Sequence, residues 1–249
     1  MDHLTRTAVI PAQLPAENVI AAQRRAGVGP TVLFLPGYAS DMTGTKALAL
    51  DEWAAKKGRA MVRFDYRGCG ASGGAFEAFT IEDWRNDALR VLDSIDGPVV
   101  LVGSSMGGWL MLLVALARPE RIAGMVGIAA APDFTEWDFD SERRATLICD
   151  GRIVEASPYG GTTVYTHGMW ESGQRNLLLG APVDLDCPVR LIHGQADPDV
   201  PWQLSLTLAK VLRSDDVQVT LIKDGDHRLS RSQDIKLLVA TVRKLLETL

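Results

Sequence analysis

Short apolar runs alternate along the chain with longer amphipathic stretches. The runs are residues 31–35 (TVLFL), 60–65 (AMVRFD), 98–103 (PVVLVG), 122–129 (IAGMVGIA), 189–194 (VRLIHG) and 217–222 (VQVTLI). Nearly continuous apolar character means strands covered on both faces, as in a parallel sheet. Helical patterns fill the gaps between them. Residues 45–57 end before Gly58, a glycine cap, and residues 80–94 open on Thr-Ile-Glu-Asp, a capping-box start. Residues 105–118 stop at Pro119, residues 202–213 follow Pro201 as the favoured first helical position, and residues 233–247 close the chain. The repeated order of strand and helix predicts an α/β fold, a doubly wound and mostly parallel sheet with helices on both faces. Residues 133–186 break the rhythm, with scattered charge, Trp137 and Trp170, and Gly160-Gly161. Long excursions from compact α/β domains are usually functional. This one is expected to be a small cap or lid over a site, inserted into a single-domain core of residues 1–132 and 187–249.

Composition narrows the picture. The 249 residues are 47% hydrophobic and 23% charged, which excludes a disordered, collagen-like or coiled-coil chain. Lys and Arg total 26 against 31 Asp and Glu, so no broad basic face is expected and nucleic acid is not an expected partner. Cys69, Cys149 and Cys187 cannot all pair within one chain and form no Cys-x-x-Cys, which points to reduced thiols. The first residues lack a basic region followed by an apolar stretch, so no signal or transit peptide is expected. The apolar runs fall short of the roughly 18–20 residues that span a bilayer. A cytoplasmic setting is expected.

The chemistry gathers at Gly103-Ser104-Ser105-Met106-Gly107, where a strand gives way to a helix. A turn this sharp needs small flanking residues and lifts the Ser105 hydroxyl clear of the sheet, at a helix N-terminus that favours negative charge. A serine hydroxyl needs a general base. Of the four histidines, His3 sits in a terminus, His167 in the irregular excursion, and His193 at a strand end where a buried structural role is expected. His227 follows the last strand across a polar loop on the same sheet edge as Ser105, and is the expected base. Asp197, in the loop after residues 189–194, is expected to orient it. Asp199 reads as a charge at a helix start, and Asp226 as too near in sequence to reach across the ring. The order Ser105, Asp197, His227 matches one of the known arrangements of this triad. The backbone N–H groups of Met106 and Tyr38 are the expected oxyanion donors, the latter from the loop after residues 31–35. No ligand cluster accompanies His193 and Asp197, so no metal site is expected.

With these residues in view, the chain resembles the α/β-hydrolase superfamily over nearly its full length, through LFLPGY, RFDYRGCGAS, VGSSMGGW, LIHGQADPDVP and DGDH. More narrowly, LPGYASDMTGTKALAL, GSSMGGWLM and GDHR look like the group containing the mycophenolic acid acyl-glucuronide esterase, also described as a palmitoyl-protein thioesterase. The resemblance implies a cofactor-free serine hydrolase acting on small-molecule acyl esters or thioesters, with Ser105, Asp197 and His227 as triad. Many superfamily members carry His-Gly where this chain has Pro36-Gly37. Asp65-Tyr66-Arg67-Gly68 resembles a frequent superfamily turn and reads as scaffold. The rival readings are a non-catalytic ligand-binding protein on the same fold, and an acyltransferase or peptidase using the same triad. In the excursion, Phe134, Trp137, Phe139, Tyr159, Tyr165, Met169 and Trp170 could line an acyl pocket, with Trp137 and Trp170 as the expected substrate contacts. Arg143, Arg144, Arg152 and Arg175 read as surface arginines, with Asp133 and Asp138 competing for their charge.

Overall fold

The computed structural model describes residues 6–9, 18–157 and 160–249; His3 and Tyr159 lie outside the described residues. One sheet contains strands β1 (Arg6–Val9), β2 (Ala21–Arg25), β3 (Val28–Leu35), β4 (Arg59–Phe64), β5 (Val99–Ser104), β6 (Ile122–Ile128), β9 (Val189–Gly194) and β10 (Val217–Ile222). Their spatial order is β1-β2-β4-β3-β5-β6-β9-β10. From β4 to β10 the pairing is parallel; β1 with β2 and β2 with β4 are antiparallel. Each parallel strand lies within two or three residues of the run expected from the sequence. The two N-terminal strands were not anticipated, because AAQRR carries no apolar run and only Ala22 of β2 is buried.

The period of two along the strands divides the core. Val32 and Phe34 of β3 face helices α1 (Thr45–Lys57) and α8 (Ser232–Leu246), whose Leu50, Ala54, Leu238 and Val242 belong to the same buried cluster. Leu33 and Leu35 face the opposite way, toward α2 (Ile81–Asp93), α3 (Met106–Ala117) and α7 (Gln203–Val211). Both sides of the central sheet are therefore dry, as the unbroken apolar runs require. The edge strand β10 is the exception, alternating part-buried with exposed positions.

Local signals act as expected at several ends. Gly58 closes α1 in the left-handed conformation at φ 63°, returning its amide to the carbonyls of Ala54 and Ala55. Thr80 and Asp83 form a reciprocal capping box on α2. Pro201 is not the first helical residue, since α7 begins at Gln203; its carbonyl instead accepts from Leu204 in the turn before the helix. The Asp65 turn is scaffold: its carboxylate accepts the amides of Met42 and Ala71, and Arg67 is anchored on Asp87 at 2.7 Å.

The excursion is more regular than its sequence suggests. It holds α4 (Phe134–Trp137), α5 (Ser141–Asp150), an antiparallel hairpin of β7 (Arg152–Ala156) and β8 (Thr162–Thr166), and α6 (His167–Gln174). Phe134, Phe139, Leu147 and Met169 are buried in the same cluster as α3. The segment thus packs onto the sheet's α3 side.

Candidate active site

β5 is one of the two central strands of the parallel set, and its last residue Ser104 leads straight into Ser105 and α3. Ser105 adopts φ 54° and ψ −122°, a strained conformation for a residue with a side chain. The surrounding contacts enforce it. A Cβ at Gly103 would stand 2.3 Å from the Gly107 carbonyl oxygen, and one at Gly107 would stand 2.1 Å from that of Leu35. Glycine on both flanks lets strand, turn and helix approach this closely, as the motif requires.

His227 and Asp197 arrive on the loops after β10 and β9, at the same edge. Ser105 Oγ lies 3.2 Å from His227 Nε2, and His227 Nδ1 lies 2.9 Å from Asp197 Oδ2. The three residues separated by up to 122 positions thus form one hydrogen-bonded line. The Asp197 carboxylate is fully enclosed. Its Oδ1 accepts the amides of Asp199 and Val200 at 2.8 and 2.9 Å, and its Oδ2 is also 3.2 Å from His193 Nε2. Burial alone would raise this carboxyl. Hydrogen bonds from His193, His227 and the Val200 amide, with the attraction of the His227 ring, outweigh burial and hold it below the usual carboxylate range.

Asp197, Asp199 and His227 can also bring one donor atom each within 4.8 Å, the spacing of a metal site. Four N–H groups are already directed at Asp197, two on each oxygen, and take up the roughly four acceptor sites of a carboxylate.

A cavity of about 630 Å³ opens above Ser105, lined by Gly37, Tyr38, Met106 and His227 among others. Met106 is the first residue of α3, so its amide has no carbonyl a turn earlier to bond. The loop carrying Tyr38 passes close by: a Cβ at Gly37 would sit 3.3 Å from Ser105 Cβ and 3.9 Å from Oγ. The opposite wall comes from the excursion, through Phe134, Trp137, Asp138, Arg143, Glu155 and Tyr165. Tyr38 stacks on Tyr165 with ring centroids 5.1 Å apart, and its hydroxyl donates to the Val164 carbonyl.

Some expected placements are corrected. Trp137 lines the cavity, but Trp170 does not; its indole N–H donates to the Thr135 carbonyl at 3.0 Å, within the excursion. Asp199 is no helix-start charge, since α7 begins four residues later, and it lines the cavity instead. Among the described residues Asp133 meets no arginine; it accepts the amides of Leu178 and Leu179. All four arginines of the excursion are ion-paired, with Arg143 between Asp138 and Glu155 and Arg152 reaching Glu77 on the core. His193 is buried and hydrogen-bonded as expected, and it also contacts Asp197, a tie outside the structural role the sequence predicts. The i and i+4 spacing of the two residues was the one available sign. Asp226 keeps to its own turn, accepting the Leu229 amide at 2.9 Å.

Comparison with known proteins agrees with this architecture. Residues 30–152 match the family model described as the alpha/beta hydrolase fold. The human mitochondrial palmitoyl-protein thioesterase ABHD10 is 40% identical over 236 residues, spanning 92% of this chain and 77% of that protein. A solved putative hydrolase from Agrobacterium vitis S4 superposes with a TM-score of 0.91 at 42% identity, over 98% of this chain and 100% of that one. The alpha/beta hydrolase domain-containing protein 10 from mouse gives a TM-score of 0.90 at 38% identity, covering 98% and 99%. The animal relatives are named as mitochondrial, which counts against the cytoplasmic setting expected from the sequence. Among the described residues, no helix is long and apolar enough to cross a membrane. The chain belongs to the α/β-hydrolase family, on its branch of ester- and thioester-cleaving hydrolases.

Proposed function

We propose that this hydrolase works through an acyl-enzyme on Ser105, with His227 as general base and acid and Asp197 holding the imidazole. The observation that carries the reading is the unbroken line from Ser105 Oγ through His227 to Asp197, at 3.2 and 2.9 Å. Asp197 accepts at Nδ1, so that nitrogen carries the proton and Nε2 is left to receive the one from Ser105. Attack on an acyl carbonyl then puts negative charge on its oxygen. The amides of Met106 and Tyr38 are the donors for that charge, each such donor being worth about 10²–10³ in rate in known cases. His227 passes its proton to the leaving alcohol or thiol, and water repeats the sequence on the acyl-enzyme. Two facts support the oxyanion assignment: Met106 starts its helix, and both residues line the cavity with Ser105.

Residues 133–186 serve as a cap on a core of residues 1–132 and 187–249. Supporting this are Trp137, Phe134 and Tyr165, which bring aromatic surface over the cavity. Trp137 is the substrate contact retained in this reading. The substrate is a small acyl ester or thioester; palmitoylated protein, the substrate in the animal relatives' name, remains one candidate thioester.

A fluorophosphonate probe tests the chemistry directly. It should label the protein at Ser105, and the Ser105→Ala variant should neither label nor hydrolyse a short p-nitrophenyl ester. An unlabelled wild-type protein would point to the binding-protein alternative. Undiminished turnover by Ser105→Ala would remove Ser105 from the mechanism. Faster product formation with added alcohol or amine would favour acyl transfer over hydrolysis.

A further inference from the structure

His193 is the penultimate residue of β9, entirely inside the protein, and both of its ring nitrogens are engaged. Nε2 lies 3.2 Å from Asp197 Oδ2 and 3.1 Å from the Val200 carbonyl, while Nδ1 lies 2.7 Å from Ser205 Oγ. A carboxylate oxygen and a carbonyl oxygen can only accept, so the proton of the neutral ring sits on Nε2. Nδ1 then accepts from the Ser205 hydroxyl. Ser205 is itself buried on α7, so the tautomer of His193 is set from the helix behind it.

The consequence falls on Asp197. Its Oδ2 is shared by two imidazoles arriving from β9 and from the β10 loop, while Oδ1 is held by the Asp199 and Val200 amides. With only the two amides and His227, the carboxylate could turn away from the ring it must orient. His193 supplies a donor from a third direction, rooted in a strand that is paired on both sides, with β6 and with β10.

We propose that His193 is a positioning residue for the hydrolytic reaction: its Nε2–H fixes the Asp197 carboxylate where His227 meets it, and Ser205 keeps that proton on Nε2. This rests on the Ser105, His227 and Asp197 reading above. The competing role is plain bracing of the loop through the Val200 carbonyl, and kinetics separate the two. A residue that only braces the fold changes the amount of folded enzyme, or the cavity and hence KM. A residue that acts through Asp197 changes kcat, and only while Asp197 is present.

The experiment compares Asp197→Ala, His193→Met, His193→Gln, Ser205→Ala and the double variant His193→Met with Asp197→Ala. Each is assayed on a short p-nitrophenyl ester, with thermal unfolding followed in parallel. Partners that orient a reactive group through one hydrogen bond are worth about 10–100-fold where they have been measured at metal ligands. His193→Met should lower kcat by about that factor with KM unchanged. His193→Gln, whose side-chain amide can occupy the place of Nε2–H, should recover most of the loss. Ser205→Ala should cost a few-fold in kcat. In the Asp197→Ala background, His193→Met should have almost no further effect, since coupled residues are not additive. The proposal is overturned if folded His193→Met keeps wild-type kcat, if the loss appears in KM, or if it is undiminished without Asp197. Should His193→Met not fold, the same non-additivity test applies to Ser205→Ala. Full activity in Asp197→Ala would instead overturn the triad reading, and this inference with it.

Discussion

The loops at the sheet's carboxyl edge and the wall above them are built in opposite ways. The Asp197 carboxylate is enclosed, and its partners are backbone amides and rings on strands or strand-end loops. Across the cavity, the excursion is tied down by arginine–carboxylate pairs that are partly open to solvent. Arg152 and Glu77, for example, keep 58% and 45% of their side-chain surface exposed. Exposed pairs of this kind each contribute about 0–1 kcal/mol, whereas an orphaned buried polar group costs about 1–3 kcal/mol. The lower layer therefore has one arrangement open to it, and the upper layer can exchange residues at small cost. Rate should reside in the first and selectivity in the second.

The sharpest way to break this comparison is at its centre. Replacing Ser105 with glycine should abolish hydrolysis, by about 10⁴-fold or more, while stabilising the protein by about 1 kcal/mol, because glycine tolerates φ 54° without strain. Chemical denaturation of the purified variant measures the second effect. A loss of stability would mean that the turn is not strained.

Next in size is Asp197→Asn, which should lower kcat by about 10³–10⁴-fold, as loss of the orienting carboxylate does elsewhere. Its effect on stability depends on pH, and the sign follows from the depressed carboxyl. The folded carboxyl lies below its ordinary value of about 3.9, so it contributes stability above that pH. That contribution is lost as pH falls through the folded value. Acid unfolding monitored by fluorescence should therefore begin at lower pH in a variant lacking this carboxylate, relative to its own neutral-pH stability.

On the upper layer, Trp137→Ala should raise KM about tenfold and leave kcat within about twofold, the size expected for one lost aromatic contact. An equal fall in kcat would erase the distinction between the two layers. The smallest effect concerns the thiols. Burial pushes Cys69 up to about 12 and Cys187 to about 11, leaving both neutral near pH 8, whereas Cys149 is exposed. Iodoacetamide at that pH should modify Cys149, spare Cys69, and leave turnover unchanged, as mass spectrometry and assay would record.

The lower layer was also the more legible one. Strands buried on both faces must be apolar throughout, so β3 to β6 and β9 announce themselves, while the edge strand β10 shows only as the alternating run VQVTLI; Ser105, Asp197 and His227 follow the ends of β5, β9 and β10. The glycines around Ser105 could be interpreted from backbone sterics alone. By contrast β2 is an edge-side antiparallel strand written AAQRR, with no period to detect. The hairpin of β7 and β8 is short and half-exposed, so its sequence resembles a loop. Trp170 looked like a substrate contact because large aromatic residues serve pockets and cores equally well. Only the packing of α6 against α4 decides between them. His193 hid its tie to Asp197 for a different reason. Which way a strand-end ring turns depends on a helix that begins ten residues later.

Tyr38 stands in both layers at once. Its main chain runs beside Ser105, while its ring bears on Tyr165 and its hydroxyl on the Val164 carbonyl. A remodelled ceiling would accordingly be felt at the floor through a single shared post. If the Tyr38 amide holds the oxyanion as proposed, selectivity and speed are not two independent dials, and a change in what enters is read out, at this residue, in how fast it is consumed.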